Sequence, residues 1–124
     1  MNYKLTGLTP MLETQDMEAT IYFYTEVLGF NLRSYNAKWG WASFNFDEVN
    51  MMFTIPNEHR NMPKPIMSGS LYFNPDDVDK VWEHVKEHCL ICYPIENFDY
   101  GMREFGIYDN NGYLLQFGQI VADD

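Results

Sequence analysis

Glu104 is the residue whose type and setting could do the most chemistry. It sits in the run Tyr100-Gly-Met-Arg-Glu-Phe-Gly-Ile107, twelve residues before Gln116. A carboxylate on an apolar face loses hydration, which raises its pKa and suits it to act as a general base near neutrality or to anchor a cationic ligand. A salt bridge to Arg33 or Arg103 would instead keep it ionised and inert. Trp39, Trp41, Met51, Phe53, Tyr100, Met102 and Leu114 offer broad apolar walls, with Ser43 and Gln116 as further polar groups. Aromatic walls with a few orienting polar groups suit a flat, aromatic ligand carrying a donor or a positive charge. The competing expectation is that these aromatics fill a solid core.

Other chemistry-bearing residues complete no constellation. His84 and His88 are four apart on one predicted helix, but they flank its apolar stripe and make only two ligands. His59 lies in a proline-rich stretch with nothing nearby to complete a site. Cys89 and Cys92 have redox-motif spacing, yet they follow the end of that helix, where the dipole opposes a thiolate. There is no Ser-His-Asp pattern, phosphate loop or dinucleotide fingerprint.

The elements that position these residues come in duplicate. Trp39-Gly-Trp-Ala-Ser-Phe-Asn-Phe46 and the run from Tyr100 are one pattern written twice, 61 residues apart, and the segments opening at Asp16 and Asp77 match at the same offset. A repeat that long, present only twice, reads as two modules of one domain rather than a solenoid. Residues 4–13 have extended character. Met17, Ile21, Tyr24 and Leu28 mark a first helix from Asp16 to Leu28, stopped by Gly29, and strands follow at about 30–36, 39–46 and 49–55. The first module spans about 1–56 and the connector 57–67, and residues 56–67 hold three prolines. The second module, about 68–124, repeats the order: a strand at 68–73 and a helix opening at Asn74-Pro75-Asp76-Asp77 with Asn74 as cap. Val78, Val81, Trp82, Val85 and Cys89 form that helix's stripe, and strands follow at 91–97, 102–109 and 113–119, the last hairpin turning at Asn110-Asn111-Gly112. Each module is βαβββ, so the class is α+β.

Period-two alternation sorts the strand faces. Met102, Glu104, Gly106 and Tyr108 share one face with Leu114, Gln116 and Gly118, while Phe105, Ile107, Tyr113, Leu115 and Phe117 pack under a helix. The repeat transfers this to Trp41, Ser43 and Asn45 on the ligand face, joined by Met51 and Phe53, with Phe44 and Phe46 in the core. Gly101 and Gly106 leave room near Glu104.

Composition narrows the class. A chain of 124 residues with 46% hydrophobic and 21% charged residues is of ordinary globular type. The net charge of −10, without a basic cluster, argues against nucleic acid. No apolar stretch approaches the ~20 residues needed to span a bilayer, no targeting signal is visible, and two cysteines make no secreted disulfide framework, so the expected location is the cytoplasm.

The paired βαβββ layout, the helix leading to Leu28-Gly29-Phe30, and the run from Tyr100 to Phe117 with its Asp109-Asn-Asn-Gly112 hairpin resemble the glyoxalase/bleomycin-resistance/dioxygenase group, the vicinal oxygen chelate superfamily. The resemblance implies eight strands in a curved mixed sheet around a cleft, helices outside, and a homodimer. It also implies a divalent metal held by His, Glu or Gln at positions that fall near Thr9, Ile55, Ser68 or Ser70, and Gln116. Only Gln116 has suitable chemistry, so neither metal nor cofactor is expected. The run Arg103-x-Phe-x-x-x-Asp-x-x-Gly112 is similar to that of the metal-free bleomycin-resistance-like members. The expected function is therefore sequestration of an aromatic, possibly cationic small molecule in an aromatic cleft. The alternative is a glyoxalase-like lyase, dioxygenase or isomerase, with an unusual metal site or with Glu104 as general base.

Overall fold

Asp16 and Asp77, one repeat apart, start the two helices in the same way. Each has an extended backbone, φ near −140° and ψ near 90°, and its carboxylate accepts from the backbone N–H three residues on, Ala19 in one case and Lys80 in the other. The expected cap of the second helix, Asn74, is displaced by this arrangement and donates instead to the Gly118 carbonyl. A computed structural model describes residues 2–56 and 66–121. The chain divides into two compact units, Met1–Pro65 and Ile66–Asp124. Most of the proline-rich connector, His59 included, lies outside the described residues.

In the first unit, β1 (Met11–Glu13) leads to α1 (Met17–Tyr22), a π-helical turn (Phe23–Val27), and β2 (Asn31–Asn36), β3 (Trp41–Phe46) and β4 (Val49–Thr54). The sheet order is β1-β4-β3-β2, with β1 parallel to β4 and the other pairs antiparallel. The extended stretch expected from residue 4 shrinks to three paired residues. Pro10 has no N–H to give the ladder, although its carbonyl still accepts from Met52, and the residues before it are exposed. The wide turn after α1 arises where Leu28 N–H bonds back to the Phe23 carbonyl while the Thr25 hydroxyl takes that of Ile21. Tyr24 is fully buried at the centre of this unit's core, its ring centroid 4.9 Å from Phe53, 5.6 Å from Phe30 and 5.8 Å from Phe44.

The second unit repeats the topology with β5 (Leu71–Phe73), α2 (Val78–Val85), β6 (Leu90–Asn97), β7 (Met102–Tyr108) and β8 (Leu114–Ile120), in the order β5-β8-β7-β6. Phe105, Ile107, Leu115, Val78 and Val85 are buried on the helix side, and Trp82 packs on Phe105 at 5.1 Å. The closing hairpin is held by Asp109, whose carboxylate accepts from the N–H of Asn111 and of Tyr113. The eight strands among the described residues thus form two four-stranded mixed sheets, an α+β fold. No helix of the described residues is long and apolar enough to cross a membrane.

Three sequence expectations need correction in the first unit. Phe44 pairs with Met51 and Ala42 with Phe53, so Met51 and Phe53 lie under the helix with Phe44 and not on the Trp41/Ser43 face. Phe46, expected in the core, is 43% exposed because β3 ends there, and only its edge contact with Phe30 remains.

The repeat-related glycines test the backbone. Gly40 and Gly101 both have positive φ, +64° and +85°. A Cβ at Gly40 would fall on the Ile55 side chain, whereas one at Gly101 meets open space. Gly101→Ala should therefore cost about 1–2 kcal/mol from backbone conformation alone, and Gly40→Ala a further ~1–3 kcal/mol for crowding. Urea denaturation of the two variants should rank them in that order.

Candidate functional site

The polar face of the second sheet is organised by two glycines. Tyr72, Gln116, Gly106 and Tyr93 form one cross-strand row over β5, β8, β7 and β6, and Gly118 stands opposite Glu104 in the next. A side chain at Gly106 would occupy the place of the Tyr93 ring, and one at Gly118 the place of the Tyr72 hydroxyl. Their absence lets both tyrosines lie across the sheet to Glu104. The room expected at Gly106 is thus filled by Tyr93, while that at Gly101 is open.

Glu104 is 1% exposed. Tyr72 Oη donates to its Oε1 at 2.8 Å and Tyr93 Oη donates to its Oε2, while the exposed Tyr100 lies near enough to lower its pKa. Tyr93 in turn accepts from Gln116 Nε2 at 2.9 Å, and Gln116 Oε1 accepts from Ser70 Oγ. Phe98 stacks on Tyr100 at 5.5 Å and meets the edge of Tyr93 at 5.6 Å, extending the tyrosine wall.

These contacts set the protonation states. Burial alone would push the Glu104 carboxyl up, but the hydroxyls of Tyr93, Tyr100 and Tyr72 together hold it below its ordinary value. The direction is opposite to the one its apolar setting suggested, because the hydroxyls gathered around the charged form outweigh desolvation. Burial, the bond to Glu104 and its charge push the Tyr72 hydroxyl up to about 12, and the same causes raise Tyr93. Burial first, then the bond to Glu104, raises Tyr100.

The expected salt bridge is not what satisfies Glu104. Arg103 points to the other side of β7 and clamps Asp79 on α2 at 2.9–3.1 Å, with a further bond to Asn97. None of the ion pairs among the described residues includes Glu104. Its cross-strand neighbour Glu96 adds further negative charge.

Of the remaining sequence candidates, Met102 and Leu114 are half-buried on the Glu104 side of their strands, and Tyr100 reaches Glu104 from an exposed turn. Trp41 and Ser43 are half-buried on the face of the first sheet away from its helix, and Trp39 is exposed in the turn before them. Tyr72 and Tyr93 lie outside the residues expected from the sequence, and Ser70 is among them only as a position near a metal ligand. Tyr72 and Ser70 alternate with Leu71 beside Gln116, a signal that period-two counting across β5 would have carried. Tyr93 was less accessible to it, since β6 shifts register on either side of that residue. His84 and His88 are exposed, and the Cys89 thiol, raised by burial, donates to the Val85 carbonyl.

The metal positions implied by the resemblance do not fit a metal. Thr9, Ile55 and Ser68 offer no suitable donor, and Ser70 and Gln116 are bonded to each other. Among the described residues no group of three His, Cys, Asp or Glu side chains comes together.

Residues 9–117 match the sequence model of the Glyoxalase/Bleomycin resistance protein/Dioxygenase superfamily, and the chain belongs to that family. Its fold is similar to that of a protein of unknown function from Agrobacterium tumefaciens, with a TM-score of 0.79, 19% identity and coverage of 96% of this chain and 97% of that one. A glyoxalase/bleomycin resistance protein/dioxygenase from Nocardioides gives 0.75 at 18% identity, covering 99% of this chain and 89% of that one. A virulence protein of Salmonella typhimurium gives 0.72 at 21% identity, covering 96% and 100%. No curated protein matches the chain.

Two outcomes follow for stability. A group whose folded pKa is depressed stabilises fully above its unfolded value, and the gain is lost as pH falls through the folded one. Glu104→Gln should therefore destabilise the protein at pH 7, and the gap from wild type should narrow in denaturation curves taken below the carboxylate range. Tyr93→Phe, which strands Gln116 Nε2 as well as removing a donor to a charged group, should cost about 1.5–3 kcal/mol, more than Tyr72→Phe in the same assay.

Proposed function

We propose that this chain is a small-molecule-binding protein of the glyoxalase/bleomycin-resistance type, which sequesters an aromatic cation against the tyrosine-lined face of its second sheet. The observation that carries this reading is Glu104: a buried, ionised carboxylate walled by tyrosine rings, with none of the described ion pairs to balance it. A buried charge favours a counter-charge nearby. Tyrosine faces also attract cations through their ring quadrupole, and Phe98, Tyr100, Met102 and Leu114 supply flat apolar area beside them.

Sequestration is favoured over turnover by the titration behaviour. General acid–base catalysis at neutral pH is best served by a group whose pKa lies near 7. Glu104 is held below its ordinary value and the tyrosines above theirs, so the network has no member poised to exchange a proton there. It offers a fixed negative centre instead.

Isothermal titration with phenethylamine, and with phenethyl alcohol as its neutral counterpart, tests the proposal. The amine should bind at least about tenfold tighter, a difference of ~1.4 kcal/mol, and should lose that margin in Glu104→Gln. Equal affinity for the two probes, or no binding of the amine, would sink the reading.

A further inference from the structure

The direction of every hydrogen bond on this face follows from one fact. An ionised carboxylate only accepts, so the hydroxyls of Tyr72 and Tyr93 must both point their protons at Glu104. With its proton spent, the Tyr93 oxygen accepts from the Gln116 amide, which fixes that amide with Nε2 toward Tyr93 and Oε1 toward Ser70. The Ser70 proton is then spent on Oε1. The chain of donors runs inward from Ser70 to Glu104 without a reversal.

What remains to face a ligand is a set of lone pairs. Tyr72 is exposed and Ser70 is half-buried, and each keeps acceptor capacity on its oxygen after its own proton has been committed. A ligand carboxylate or phosphate would find no uncommitted proton on Tyr72, Tyr93 or Ser70 and would meet the charges of Glu104 and Glu96. A quaternary ammonium could lie on the rings but could not use the oxygens. A cation bearing N–H groups could use both.

Resting on the function proposed above, we infer that the face reads the N–H protons of a primary or secondary ammonium, amidine or guanidinium group, with the Tyr72 and Ser70 oxygens as the acceptors that set specificity. The inference narrows the ligand from aromatic cations in general to those that can donate.

The test adds the trimethylated phenethylammonium ion to the two probes already named, titrated into the full chain by calorimetry. The primary amine should bind about tenfold or more tighter than the trimethylated ion. Ser70→Ala, which leaves Tyr72, Tyr93 and Glu104 in place, should cut that ratio severalfold. If the trimethylated ion binds as tightly as the amine and both exceed the alcohol, the donor reading is overturned and the cation site stands. If neither cation exceeds the alcohol, or neither binds, both readings fall together.

Discussion

A carboxylate cannot be buried in a β-sheet face without something to stabilise its charge, and the second unit is arranged around that requirement at Glu104. Removing an ionised group from water costs several kcal/mol unless hydrogen bonds or a counter-ion compensate. Here the compensation comes from the hydroxyls of Tyr72 and Tyr93 rather than from arginine. That choice dictates the neighbours. Gly106 and Gly118 must lack side chains for Tyr93 and Tyr72 to cross the sheet, and Gln116 must turn its amide to suit Tyr93. Arg103, one residue away on the other face of β7, is left free to tie the strand to α2 through Asp79.

The duplication shows how specialised this face is. At the offset of 61, Glu104 corresponds to Ser43, Gly106 to Asn45, Tyr72 to Met11 and Ser70 to Thr9; by strand register, Tyr93 and Gln116 beside Gly106 correspond to Asn31 and Asn50 beside Asn45. The first unit keeps the helix cap, the positive-φ glycine and the sheet order of the second, but has neither the charge nor its donors. Backbone architecture and apolar core are thus common to both units, while the polar network belongs to one. Gln116 and Ser70, which the family resemblance associates with metal ligation, are here two links in a chain of hydrogen bonds.

Much of this was legible in the sequence, for identifiable reasons. The strands and helices follow from hydrophobic period and turn chemistry, which act over a few residues, and the helix-side core of Phe105, Ile107, Leu115 and Phe117 follows from alternation within single strands. Alternation stops at the strand end. Placing Met51 and Phe53 needed the register of β3 against β4, which a one-residue offset inverts. Glu104 stood out as a buried carboxylate, but its partners did not. Tyr72 lies 32 residues away and Tyr93 sits between two register shifts, so nothing local pointed to either. Without those partners, burial alone points the Glu104 pKa upward, whereas the hydroxyls around it bring it down.

The ionisation of Glu104 decides the direction of the hydrogen bonds, the acceptor character of the face and the preference for a cation. Its most direct measurement is a carbon-detected NMR titration of the glutamate side-chain carboxyls, with Glu104 assigned by its loss in Glu104→Gln. The Glu104 resonance should titrate below the ordinary glutamate value of about 4.3 and move upward in Tyr93→Phe as one donor is removed. A midpoint at or above the ordinary value would contradict the structure's central feature, since hydroxyls that donate to the charged form must lower it.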